Sequence, residues 1–205
     1  MTPEQANKII RKTFRVIGND TIPLTGRTKS TRNEHLGKLF NTLGYKLGAE
    51  IGVENGYHAK TLFRNIEGLK LICVDPWTAY NQIPQEKTDE RYARCRRRLR
   101  NCNVEYMRMK SMEAVGNIPD GLLDFVYIDG LHEFDPVMMD IICWTPKVRI
   151  GGIIAGHDYS TKHWKIGVAP AVNAYTRAHN IREWYLTSLA DIVPSWFWVR
   201  KEEHG

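Results

Sequence analysis

The pattern of apolar and polar positions changes character once along the chain. Through the first 45 residues it reads as two helices, Pro3 to about Val16 and Glu34 to Leu43, around a polar stretch from Gly18 to Arg32 rich in Thr, Gly and Lys. Asn33 is the expected cap of the second helix, since its side chain can accept from free amides of the first turn. From Lys46 onward, short apolar runs bounded by Gly and Asp alternate with helical stretches: Leu47 to Ile51, Leu69 to Val74, Val104 to Met107, Leu123 to Ile128 and Gly152 to Ala155. Runs this short, rich in Ile and Val, suit strands buried on both faces, and their alternation with helices predicts a parallel sheet with right-handed crossovers. Two aromatic runs end the chain, Trp184 to Thr187 and Ser195 to Arg200, joined by a link containing Asp191 and Pro194. They predict an antiparallel pair closing the sheet edge.

Composition narrows the class. A hydrophobic fraction of 42% and a charged fraction of 25% are ordinary for a globular chain. No segment approaches the roughly 20 apolar residues of a spanning helix, so no membrane partner is expected. The N-terminus interleaves charge with apolar residues, unlike a signal peptide, and the expected location is cytoplasmic. Four cysteines, Cys73, Cys95, Cys102 and Cys143, form no C-x-x-C pair, which fits reduced buried thiols. The net charge of +6 favours an anionic partner, and much of it sits in Arg91 to Arg100. There Tyr92, Cys95 and Leu99 define a buried helical face under a fan of arginines, which is a solvated helix face or a grip for nucleic acid.

The strongest local signal is Gly48-Ala-Glu-Ile-Gly52-Val-Glu-Asn-Gly56 between a strand and a helix. Glycines there let backbone approach a ligand, while the spacing lacks the third glycine of the dinucleotide fingerprint. Glu50 at the strand end suits an ammonium or sulfonium better than a diphosphate. Asp75, in Val74-Asp75-Pro76-Trp77, ends the second strand, where a carboxylate can accept both ribose hydroxyls of an adenosine cofactor. Ser111-Met112-Glu113 follows the third strand, where the loop would cross an adenine or simply cap a helix. The fourth strand ends in Asp129-Gly-Leu-His132 and the fifth in Gly156-His157-Asp158-Tyr159. Two aspartates and two histidines facing one cleft predict a Mg²⁺ or Mn²⁺ site with a histidine left as base. Trp77, Tyr80, His163 and Trp164 are candidates to line an acceptor pocket or to pack the loops.

The order E-x-G-x-x-x-G, V-D-P-W, D-F-V-Y-I-D-G-x-H and G-G-I-I-A-G-H-D-Y resembles the class I S-adenosylmethionine-dependent methyltransferases, nearest to the macrocin-type sugar O-methyltransferases. The resemblance covers about Leu47 to Asn180 and implies a Rossmann-like three-layer α/β/α sandwich. Its sheet would be mostly parallel and seven-stranded with an antiparallel C-terminal strand. Residues 46–205 would form the methyltransferase domain, and residues 1–45 a helical extension. It implies that Glu50, Gly52, Gly56, Asp75, Pro76, Trp77, Ser111, Met112 and Asp129 hold S-adenosylmethionine. It further implies that Asp129 and Asp158 bind the metal, and that His132, with Asp129 and His157, carries catalysis. The branch has an acidic residue where Leu131 stands. The expected reaction is O-methylation of a small molecule or sugar. An RNA-directed methyltransferase or a nucleic-acid-binding protein using the Arg91–Arg100 helix is the alternative, and a homo-oligomer is compatible with the aromatic edge.

Overall fold

The computed structural model describes residues 1–16, 23–25, 32–160, 167–187 and 193–202. Five parallel strands make its centre: β2 (Leu47–Ile51), β3 (Lys70–Val74), β4 (Asn103–Met107), β5 (Leu123–Ile128) and β6 (Val148–Gly156). β8 (Trp196–Val199) lies antiparallel to β6 and to β7 (Trp184–Leu186). A two-residue strand, β1 (Leu24–Thr25), adds parallel to the outer side of β7, giving the order β1-β7-β8-β6-β5-β2-β3-β4. The seven expected strands are therefore present, and β1 is an eighth, too short to leave a pattern in the polar stretch that contains it. The aromatic pair accordingly sits inside β1 rather than at the edge.

Alternation along each strand assigns the two faces. Phe125, Tyr127, Phe197 and Val199 point into one apolar layer with helices α1 (Pro3–Phe14), α2 (Arg32–Thr42), α3 (Tyr57–Asn65) and α4 (Gln85–Arg98). Val126, Ile128, Trp196 and Trp198 point into the other, covered by α5 (Ser111–Ala114), α6 (Phe134–Trp144) and α7 (Val168–Ala178). The result is the three-layer α/β/α sandwich. Among the described residues no helix is long and apolar enough to cross a membrane.

Local chemistry explains the element ends. Thr2 Oγ1 accepts from the Gln5 amide at 3.3 Å while Gln5 Oε1 accepts from the Thr2 amide at 3.0 Å, a reciprocal cap with Pro3 at the first helical position. The helix stops at Phe14 because Arg15 turns left-handed, φ 50°. Phe14 rests on Phe197 at 5.4 Å between ring centroids, and Asn7 accepts from the buried Tyr185 hydroxyl at 3.0 Å, so α1 is locked to the sheet. The second helix begins at Arg32, which places Asn33 inside it rather than at its cap. β6 begins at Val148, four residues before the expected start at Gly152. Gly151, at φ 77°, turns within the strand, and the register with β5 shifts there, so the Gly-Gly pair marks a bulge and not a strand start. Tyr45 pins that bulge by donating to the Gly151 carbonyl at 2.6 Å.

Candidate active site

The chain leaves β2 toward β3 and β4 on one side, then returns to β5 on the other. The carboxyl ends of β2 and β5 thus flank the switch point where open α/β sheets bind ligands. Gly52 follows β2 at φ 84°, and a Cβ there would collide with the Asp129 carbonyl at the tip of the neighbouring strand. The turn and strand tip are packed backbone to backbone. Gly56 takes φ 71° at the start of α3, and its missing Cβ makes room for Cys95 Sγ, 2.9 Å from where the carbon would stand. This second glycine serves the approach of α4.

Beneath the turn lies a polar group that the sheet leaves incomplete. Glu50 is 1% exposed, and burial pushes its carboxyl up, with His58 opposing. His58 Nδ1 stands 3.4 Å from Glu50 Oε1, and its ring stacks on Tyr127 at 3.9 Å. Glu50 Oε2 has no hydrogen-bond partner among the described residues. A buried acceptor without a donor costs roughly 1–3 kcal/mol, so a cationic ligand above Gly52 would meet a real deficit.

Asp75 sits half-buried at the end of β3. Its Oδ2 accepts from the Glu54 amide at 2.9 Å and its Oδ1 from the Trp77 amide at 2.8 Å. Burial raises its carboxyl, and the backbone donors oppose that. Each oxygen keeps a lone pair, so the group is oriented and still able to accept a vicinal diol. Pro76 beside it is partly exposed, and Trp77 takes the packing role that the sequence left open beside that of a pocket residue. At φ 44° it turns its ring inward to 2% exposure, tilts against Tyr92 at 4.6 Å, and donates from Nε1 to the Glu54 carbonyl at 2.9 Å. It braces the loop.

At the end of β4, Lys110 is the cap of α5, its amide donating to Glu113 at 3.3 Å. Ser111 is the first helical residue, and Met112 is exposed. The Ser111 hydroxyl is held from α6, where it donates to Asp140 Oδ1 and accepts from Trp144 Nε1 at 2.7 Å. Asp140 is a participant that the sequence reading missed, although a charge among the apolar residues of α6 was its visible signal.

The fourth and fifth tips do converge. Main-chain bonds from the Asp129 amide to Ile51 at 2.8 Å and from the His157 amide to Ile128 at 3.0 Å fix their relative height. His132 Nε2 lies 3.0 Å from Asp158 Oδ2 and 3.8 Å from Asp129 Oδ1. His157 Nδ1 lies 3.0 Å from Asp158 Oδ1 and 3.6 Å from Asp129 Oδ1. Asp158 reaches both rings from a left-handed backbone, φ 58°. Its two histidine partners overcome burial and hold its carboxyl far below the usual range, and Asp129 is lowered in the same way. The neighbouring carboxylates of Asp129 and then Asp158 push His132 up to about 10. For His157, burial opposes the same two partners and loses, leaving it at about 9. In this arrangement the two carboxylates raise both rings above the near-neutral range expected of a base. One donor atom from each of Asp129, His132 and Asp158 lies within 4.8 Å of the others, a carboxylate-rich set that fits Mg²⁺ or Mn²⁺. A cavity of about 10 Å³, lined by Asp129, Leu131, His132 and His157, opens beside it, room for one water or small ion.

The arginine-rich helix is largely engaged within the chain. Arg91 pairs with Glu54 at 3.2 Å, Arg94 with Glu90 at 3.8 Å, and Arg98 bonds the Asn55 carbonyl while covering the Tyr57 ring at 3.4 Å. Of the acceptor-pocket candidates, Tyr80 is exposed, whereas His163 and Trp164 lie outside the described residues.

Residues 49–159, more than half of the chain, match the family model described as Methyltransferase domain. An uncharacterized protein of Acanthamoeba polyphaga mimivirus is 30% identical over 128 residues, covering 60% of this chain and 56% of that protein. The chain thus spans little more than half the length of the curated relative it matches. The O-methyltransferase from Bacillus cereus, solved in complex with SAH, superimposes with a TM-score of 0.63 at 13% identity, over 98% of this chain and 92% of its own. An rRNA methylase from Streptococcus thermophilus gives 0.60 at 13% identity, over 85% and 100%. At such identities these two structures speak for the fold alone.

Proposed function

The chain belongs to the methyltransferase-domain family, and from that premise we propose that it transfers the methyl group of S-adenosylmethionine to a hydroxyl of a small-molecule or sugar acceptor. The observation that carries this reading is the set of groups at adjacent strand tips. A buried glutamate with one carboxyl oxygen unbonded among the described residues lies under a glycine turn, an oriented diol acceptor stands one strand away at Asp75, and an Asp/His cluster stands on the other side. The residues fit the cofactor: Glu50 and the Gly52 turn would face the methionine end, Asp75 the ribose, and Ser111 with Met112 the adenine. The four free cysteines support a reducing, cytoplasmic setting.

In the reaction the acceptor oxygen attacks the methyl carbon, the carbon–sulfur bond breaks, and sulfur keeps the electron pair. The chain's work is chiefly alignment, which in well-oriented systems is worth about 7–11 kcal/mol. The hydroxyl proton needs a destination, and His132 is the base of this proposal. It must first lose the proton that Asp129 and Asp158 hold on it. Asp129 and Asp158, with His132 adjacent, would hold a divalent cation whose charge competes with that proton and acidifies a bound hydroxyl.

The test is calorimetric titration of the protein with S-adenosylmethionine, beside Asp75→Ala, followed by transfer of a labelled methyl group to sugar and phenol hydroxyls with and without Mg²⁺. Saturable binding weakened in the variant, and label on oxygen, is the expected result. Absence of binding would overturn the reading.

A further inference from the structure

The strand-tip site makes no use of the basic face formed by α3 and the second half of α4. Residues 57–66 and 91–104 contain eight Lys and Arg and no acidic residue. Those charges exceed the net +6 of the whole chain, so the remainder is slightly acidic. The two helices meet along this face: Lys60 Nζ reaches Cys102 Sγ at 3.5 Å, and Arg98 bonds the Asn55 carbonyl just ahead of α3. Arg91 and Arg94 pair with Glu54 and Glu90, whereas Arg97 and Arg100 are exposed and, like Arg64 on α3, have no carboxylate partner among the described residues. The field of a helix C-terminus favours cations in the last turn, which accounts for Arg64 and for Arg96 to Arg98, but not for Lys60 and Arg94 further up the helices. Tyr57 stands beside these charges. It is 69% exposed, and the Arg98 guanidinium lies over its ring at 3.4 Å from the centroid. Arg98 is itself anchored on the Asn55 carbonyl, so the ring is held from one side while the rest of it faces solvent. No other exposed large apolar side chain lies in either stretch.

We propose that this α3–α4 face binds single-stranded nucleic acid, its arginines contacting successive phosphates while Tyr57 stacks on a base. Guanidinium groups without carboxylate partners release counterions from a phosphodiester chain, and a fixed aromatic ring accepts any base through its π face. Both parts are needed for a single strand, whose bases are free to stack, and both are present here within one turn of each other. An acidic lipid surface would answer the charge equally well. Insertion into it, however, takes a stripe of apolar side chains, and this face offers one ring that carries a hydroxyl. The contacts of Arg91 with Glu54 and of Arg98 with Asn55 tie the face to the turn that follows Gly52, so a bound strand runs beside the rim of the strand-tip cleft. The binding stands apart from the cofactor reading and does not depend on it.

The experiment is fluorescence anisotropy of the full chain with labelled oligouridine and oligothymidine, with heparin and phosphatidylserine vesicles as competitors. Four phosphate contacts at a slope of about 0.7 each predict that affinity for the strands falls about fiftyfold between 50 and 200 mM salt. Arg94→Gln, Arg97→Gln and Arg100→Gln together should weaken both strands by about tenfold or more. The same loss of charge at the exposed Lys8, Arg177 and Arg182, each replaced by Gln, should cost less than about twofold. Tyr57→Ala should weaken the strands by about fivefold or more and leave heparin, which has charge but no bases, bound as before. The tighter of the two strands identifies RNA or DNA as the source. Absence of binding to either strand overturns the proposal, as do equal losses in the two triple variants, an unaffected Tyr57→Ala, or binding of the vesicles in place of the strands. Thermal melts of each variant separate lost folding from lost binding.

Discussion

Replacing Asp140 by Asn should stabilise the protein at neutral pH, by an amount that depends on pH in a defined direction. Asp140 is 5% exposed, and its carboxyl is raised from 3.8 to about 6 in the folded chain. An acid raised on folding binds its proton more tightly in the native state than in the unfolded one. Its contribution is therefore most favourable at low pH and is lost as pH rises through the window from about 4 to about 6. A shift of about two pH units at about 1.4 kcal/mol each places the loss near 3 kcal/mol, complete by pH 7. Asparagine removes the titration and keeps an oxygen that can accept from Ser111. Urea unfolding of both proteins at pH 4 and pH 7.5 checks this, since the double difference cancels every other titrating group. The advantage of the variant should grow by about 2–3 kcal/mol between the two conditions. If it stays constant or shrinks, Asp140 is not a buried anion at neutral pH.

Gly52→Ala should cost several kcal/mol and abolish binding of S-adenosylmethionine, because the new methyl meets the Asp129 carbonyl at a positive φ; melting curves and calorimetry read both effects. Tyr45→Phe should lower stability by about 1–3 kcal/mol in urea titration by leaving the buried Gly151 carbonyl unpaired, with methyl-transfer rate unchanged. His132 and His157 are raised on folding, so the stability they contribute is full below about pH 6.5 and is lost as pH climbs through about 9 and 10. Asp158→Asn should flatten that alkaline decline in thermal melts, and an unchanged decline would refute the pairing.

The strand tips were legible because sheet geometry converts a short apolar run followed by Gly or Asp into a position. Glu50, Gly52, Asp75, Asp129 and Asp158 all sit where such runs place them, at the carboxyl ends of adjacent strands. What a tip residue does there is set by neighbours from other elements, which a single run of sequence does not display. Trp77 follows the acidic strand end in the manner of a pocket residue, yet a left-handed turn and the platform of Tyr92 on α4 draw its ring into the core. The Gly151-Gly152 pair looked like a strand start because a bulge and a turn share the same residue type, and only the partner register tells them apart. Asp140 was readable in principle, since it shares the inward stripe of α6 with Val137, Ile141 and Trp144, but its partner Ser111 comes from another helix. His132 carries the sharpest lesson. Residue type alone suggests a base near neutrality, whereas its proton affinity is decided by two carboxylates, one of them brought from the tip of β6 to 3.0 Å by the bond between His157 and Ile128. The same register that makes the cluster able to bind a dication also keeps its histidine protonated without one, so any catalytic role for His132 is tied to what occupies the carboxylates beside it.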